Sequence, residues 1–129
     1  MALVSFRALT SITAGQPVTV GSSGTIYPSS AATLSNAKCI GVALDSASAQ
    51  ELVRVNKDSI QYIFSGQIAG NIPYLSITSG TIQPSYTAFQ TELNSSALSS
   101  AYLVPLGRAV SSSGINIEIG RPVFVTAPL

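Results

Sequence analysis

Apolar and polar residues alternate along this chain in short stretches, and turn residues interrupt them before any run grows long. Ile115, Ile117 and Ile119 are separated by Asn116 and Glu118, and Val53 and Val55 flank Arg54. A period of two puts one set of side chains on a buried sheet face and the other in solvent. Similar stretches, β-branched and aromatic with Gly, Ser or Pro at their borders, predict strands over 17–20, 25–27, 40–44, 51–55, 59–64, 73–77, 81–83, 103–110, 115–119 and 122–125. Ser22-Ser23-Gly24, Ser79-Gly80 and Ser112-Ser113-Gly114 read as tight turns in which Gly takes positive φ. Pro73 and Pro122 belong at strand starts or edges, because proline donates no ladder hydrogen bond.

Three segments depart from this pattern. Residues 29–36 are rich in Ser and Ala, and within 87–100 Phe89, Leu93 and Ala97 recur at every fourth position. The second spacing suits a short helix, and a long loop is the alternative. Residues 1–12 carry Leu3, Phe6, Leu9 and Ile12 at neither period. They read as an extended arm or an edge strand, with a frayed terminus as the bland alternative.

The chain also says nearly the same thing twice. Gly15, Gly24, Ile26, Pro28, Ser29, Gly41 and Ala43 recur in order as Gly70, Gly80, Ile82, Pro84, Ser85, Gly107 and Ala109. The second copy holds about ten extra residues between its Pro and its next Gly. Two copies are too few for a solenoid, but they suit two interlocked halves, each covering the other's apolar face. The fold expected is all-β: a small single-domain β-barrel or β-clip with an internal pseudo-twofold duplication and an extended N-terminal arm. Its expected divisions are an arm at 1–12, a first repeat at 13–66, a second at 67–120 and a C-terminal strand or tail at 121–129.

Composition narrows the function. At 129 residues the chain is long enough for one real core, and 46% of it is apolar. Only 9% is charged, far below the norm; a surface largely covered by partners accounts for this, and drift in composition is the bland alternative. Net charge is +1, and Arg7, Lys38, Arg54, Lys57, Arg108 and Arg121 are scattered along the sequence, so direct nucleic-acid binding is not expected. No apolar run reaches the length of a membrane span, and the start lacks the pattern of a secretory signal. The single Cys39 excludes an intrachain disulfide and reads as a small buried hydrophobe, which fits assembly in a reducing cytoplasm.

Catalytic chemistry finds few candidates. There is no His, no Cys cluster for zinc, and no phosphate-binding or nucleophile-elbow motif. Asp45, Glu51, Asp58, Glu92 and Glu118 are dispersed, and no spacing picks out a catalytic pair or a calcium loop. No enzyme activity, cofactor, metal or small-molecule substrate is therefore expected. Tyr27, Tyr62, Tyr74, Tyr86 and Tyr102 leave open a sugar-binding face, since a ring stacks on apolar sugar surface.

The phrases Ala14-Gly15-Gln16-Pro17-Val18-Thr19-Val20, Gly24-Thr25-Ile26, and Ile40 through Val55 resemble the small capsid decoration, or cement, proteins of tailed bacteriophages. So does Leu106-Gly107-Arg108-Ala109-Val110 with Ile115 to Ile119, and the likeness covers about residues 10–120. The chain departs from it in the Ser-rich insertion at 87–100 and at Gln50, which stands where a Gly is expected. The resemblance implies a compact β-fold (β-tulip-like), homotrimeric, that sits on the capsid exterior of the virion and bridges neighbouring copies of the major capsid protein. Outside the duplicated phrases, Leu3, Val4, Phe6 and Arg7 of the arm and Val123, Phe124 and Val125 of the tail are the expected interface residues. Pairing of both segments as edge strands of the fold itself is the alternative. A carbohydrate-binding or host-adhesion module of a phage fibre or tail is the rival function.

Overall fold

Residues 3–129 are described by the computed structural model, and they form twelve strands and two short helices. In the first half lie β1 (Leu3–Arg7), β2 (Pro17–Val20), β3 (Ile26–Pro28), α1 (Leu34–Ala37), β4 (Cys39–Ala43) and β5 (Leu52–Asn56). Their strands make one five-stranded sheet in the order β1-β5-β4-β2-β3, with every neighbouring pair antiparallel. The second half holds β6 (Ile60–Tyr62), β7 (Tyr74–Leu75), β8 (Ile82–Gln83), α2 (Tyr86–Ser95), β9 (Ser100–Leu103), β10 (Gly107–Ala109), β11 (Gly114–Ile117) and β12 (Val123–Thr126). Here the sheets are smaller: β10-β11-β6, β7-β8 and β12-β9.

The duplication read from the sequence recurs in the backbone hydrogen bonds at the same corner of each copy. Gly15 N donates to Ala43 O at 2.8 Å, and Gly70 N donates to Ala109 O at 2.8 Å. Ala43 N returns to Gln16 O, and Ala109 N returns to Asn71 O, both at 2.9 Å. Thr19 faces Tyr27 and Val20 faces Ile26 in the first hairpin, where Tyr74 faces Gln83 and Leu75 faces Ile82 in the second. Gly15 and Gly70 adopt φ of 93° and 89°, the left-handed corner that Gly takes without steric cost.

The match extends further than the repeated phrases. Val4 pairs with Val55 as Gln61 pairs with Ile115, so β1 is the counterpart of β6. In the second copy β10 reaches β7 through Leu106 N to Pro73 O at 2.9 Å and an isolated bridge between Tyr74 and Pro105. The order β6-β11-β10-β7-β8 thus repeats β1-β5-β4-β2-β3. Counted by strand pairing, the copies run 3–56 and 60–117. A division at 13–66 and 67–120 sets β1 apart as an arm and assigns β6 to the first copy. Residues 3–7 are the first strand of the first unit, paired along their whole length.

The strands do not close into a barrel. After β1 the chain touches the far edge of its own sheet only at the parallel bridge between Ala8 and Ile26. In the second unit Pro73 and Pro105 flank the junction between β7 and β10, and neither has the N–H that a continuous ladder needs. The stretch 103–110, read as one strand, divides into β9 and β10 at Val104 to Leu106. The insertion at 87–100 holds a true helix. Ser85 caps it by accepting from Ala88 N at 3.1 Å, and Phe89 and Leu93 face inward. Ala97 lies past its end and is exposed.

Three apolar clusters make up the core, and two of them join the halves. Ala8, Ile12, Val18, Ile26, Ala43, Val53 and Val55 fill the first unit. Val42, one residue from Ala43 and so on the opposite face of β4, packs with Ile115 and Ile117 of the second unit. Ala31 and Ala37 of the first unit join Leu75, Phe89, Leu93, Ala101, Val104 and Leu106 of the second. A buried polar pin crosses the same boundary. Asn56 Nδ2 donates to Gln61 Oε1 at 3.2 Å, and Gln61 Nε2 donates to Ala43 O at 3.0 Å.

Gln50, where the resemblance leads one to expect Gly, adopts φ of 73°. Left-handed backbone costs a residue with a Cβ roughly 1–2 kcal/mol, and Gly gives part of that back through its freer unfolded chain. Gln50→Gly is expected to stabilise the fold by about 0.5–1 kcal/mol, raising the thermal midpoint by roughly 2–4 °C. A calorimetric scan reads this shift.

Candidate functional site

The predicted interface residues lie on two edge strands. Ala8 N donates to Glu51 O at 2.9 Å and Ala8 O accepts from Gln50 N at 2.7 Å, so Ala8 faces β5. Alternation along an antiparallel ladder then turns the amides and carbonyls of Ser5 and Arg7 away from β5, toward an open edge. Leu3 pairs with Asn56 through its backbone position, Val4 is partly exposed, and Phe6 packs at the rim of the first core. Arg7 Nη1 donates to Gln50 O at 2.8 Å, tying the strand to the strained turn. On β12, Val123 and Phe124 are 54% and 57% exposed, while Val125 leans on the core that contains Phe89. Phe124 meets Tyr102 edge to face, with ring centroids 5.6 Å apart.

These two strands belong to different sheets and pack over different cores. A further apolar surface went unnoticed in the sequence. On β6, Ile60 and Tyr62 point outward while Gln61 points in. Tyr62 is 67% exposed, with its ring against Gly114, and Ile63 and Ile68 follow, each about half exposed. The signal was the run Ile60 to Ile63, whose inward residue is the polar one.

Three of the five carboxylates are spent on local structure. Asp45 accepts from Arg54 N at 2.9 Å and pairs with its guanidinium at 2.8 Å, which holds the Asp45 carboxyl below its ordinary range. Glu51 accepts from Ser48 N at 2.6 Å. Glu92, on α2, accepts from Ser76 Oγ at 2.6 Å and Ile77 N at 3.0 Å, fastening the turn between β7 and β8. Cys39 donates to Gly41 O at 3.3 Å, and burial pushes its thiol up to about 11, the opposite of an activated nucleophile. Among the described residues no three His, Cys, Asp or Glu side chains gather as a metal site. No helix there is long and apolar enough to cross a membrane.

The clefts are open and shallow. One, of about 360 Å³, is bordered by Tyr74, Tyr86 and Arg108. Its two rings stand edge to face at 6.2 Å, and Arg108 Nη1 donates to Gly70 O at 2.7 Å. Tyr27, Tyr62 and Tyr102 lie elsewhere, so the tyrosines form no continuous stacking platform. Another cleft, of about 470 Å³, gathers Lys38, Lys57 and Arg121 around Ile40, Ile119 and Pro122.

No protein-family model matches the chain, and no curated protein is significantly similar to it in sequence.

Proposed function

We propose that this chain is a structural virion protein that binds the outer surface of a phage capsid as a homotrimer and stabilises the shell by bridging copies of the major capsid protein. The observation that carries the reading is the contrast between two sets of side chains. Large apolar residues stand in solvent on β6 and β12 (Ile60, Tyr62, Val123, Phe124), while Asp45, Glu51 and Glu92 each hold a turn or a neighbouring strand. Such a surface suits contact and offers no arranged acid–base pair. Apolar area buried against the shell contributes about 25 cal/mol per Å². In a trimer each further contact is effectively intramolecular, so weak sites add up to firm attachment. The sequence resemblance to decoration proteins points the same way.

Mixing the purified chain with shells assembled without it tests the reading. Co-sedimentation at saturable stoichiometry and a higher shell-disruption temperature are expected, and a chain that stays in the supernatant at all ratios refutes it. The Tyr74, Tyr86 and Arg108 cleft favours one rival, a carbohydrate-binding or host-adhesion module. Saturable binding on a glycan array, lost in Tyr86→Ala, would favour that rival.

A further inference from the structure

We infer that the cleft formed by Lys38, Lys57 and Arg121 is a docking site for an acidic, extended peptide segment of a partner protein. The three cations come from parts of the chain far apart in sequence. Lys38 follows α1 at the entrance to β4, Lys57 follows β5, and Arg121 lies between β11 and β12. Half of the six Lys and Arg residues in the chain thus face one opening, which no carboxylate lines. None of the three forms an ion pair among the described residues, where the one salt bridge is Arg54 with Asp45.

Three cations bordering one opening give it a positive potential, which an anionic occupant complements. The rest of the lining selects which kind. Ile40, Ile119, Gly120 and Pro122 supply apolar wall, and no aromatic ring is present to stack a base. Three cations are also too few for the phosphate-dominated binding of nucleic acid. A strand or loop in which Asp or Glu alternates with aliphatic residues satisfies both the charge and the wall. At a net charge of +1 the chain has little long-range pull, so this cleft is its clearest handle for orienting a partner. The inference deepens the proposed function, and rests on it only for the statement that the partner is the shell protein.

The test uses the intact chain and a labelled ten-residue peptide alternating Glu with Val, followed by two-dimensional NMR. Shifts centred on Lys38, Ile40, Lys57, Ile119 and Arg121 are expected, with binding that weakens as salt is raised. The triple variant K38Q/K57Q/R121Q is expected to lose about tenfold in affinity, while R54Q, outside the cleft, keeps the parent value. A cooperative thermal transition in each variant shows that it folds. The inference is overturned by no saturable peptide binding, by an equal loss in R54Q, or by tighter binding of a ten-nucleotide single strand. Peptide binding without shell co-sedimentation leaves the docking site standing and removes the capsid as its partner.

Discussion

Alanine at position 107 is expected to destabilise the fold by about 4 kcal/mol, the upper range for a single substitution. Gly107 has φ of 135°, a region that L side chains rarely enter, and a Cβ there would overlap the carbonyl oxygen of Asn116 on the paired strand. Both strands are held in register by Ala109 against Ile115, so neither retreats without losing ladder bonds. Gly41 is the counterpart in the first copy, and its Cβ would overlap the carbonyl oxygen of Asn56. Because Gly41 has no positive φ, Gly41→Ala is expected to cost less than Gly107→Ala, about 2–3 kcal/mol. Urea midpoints of the two variants measure both the size and the order.

Deleting residues 1–9 is expected to abolish cooperative unfolding. The deletion removes the five-residue ladder between β1 and β5, takes fully buried Ala8 from the first core and exposes Val53 and Val55. It also leaves β5 as an unprotected apolar edge, a template for aggregation. Circular dichroism and a thermal melt of the truncated chain decide the matter. A melt that matches the full chain, together with lost attachment to shells, would mean that Leu3, Val4, Phe6 and Arg7 serve as an arm rather than as part of the sheet.

Much of the architecture was legible because its signals are local. Alternation around Arg54 and Asn116 named β5 and β11, and the recurring Gly and Pro positions named the two copies. Gln50 stood out only against the resemblance to decoration proteins, which expects Gly there, and its backbone is left-handed. What the sequence hid depends on pairing across distance. Leu3 to Arg7 shows no clean period because Val4 and Phe6 sit at a rim where burial is partial, so its likeness to β6 appears only in the ladder. The 103–110 stretch looked continuous because its apolar run does not reveal that β9 turns to meet β12 while β10 meets β11. Lys38, Lys57 and Arg121 looked scattered for the same reason: three separate connections bring them to one opening.

Cryo-electron microscopy of particles assembled with and without the chain tests most directly whether this doubled β scaffold acts by adhesion. Added density on the shell exterior is expected, fitted by residues 3–126 and seated where capsid subunits meet. Identical maps from both preparations, or density confined to a fibre or tail, would contradict it.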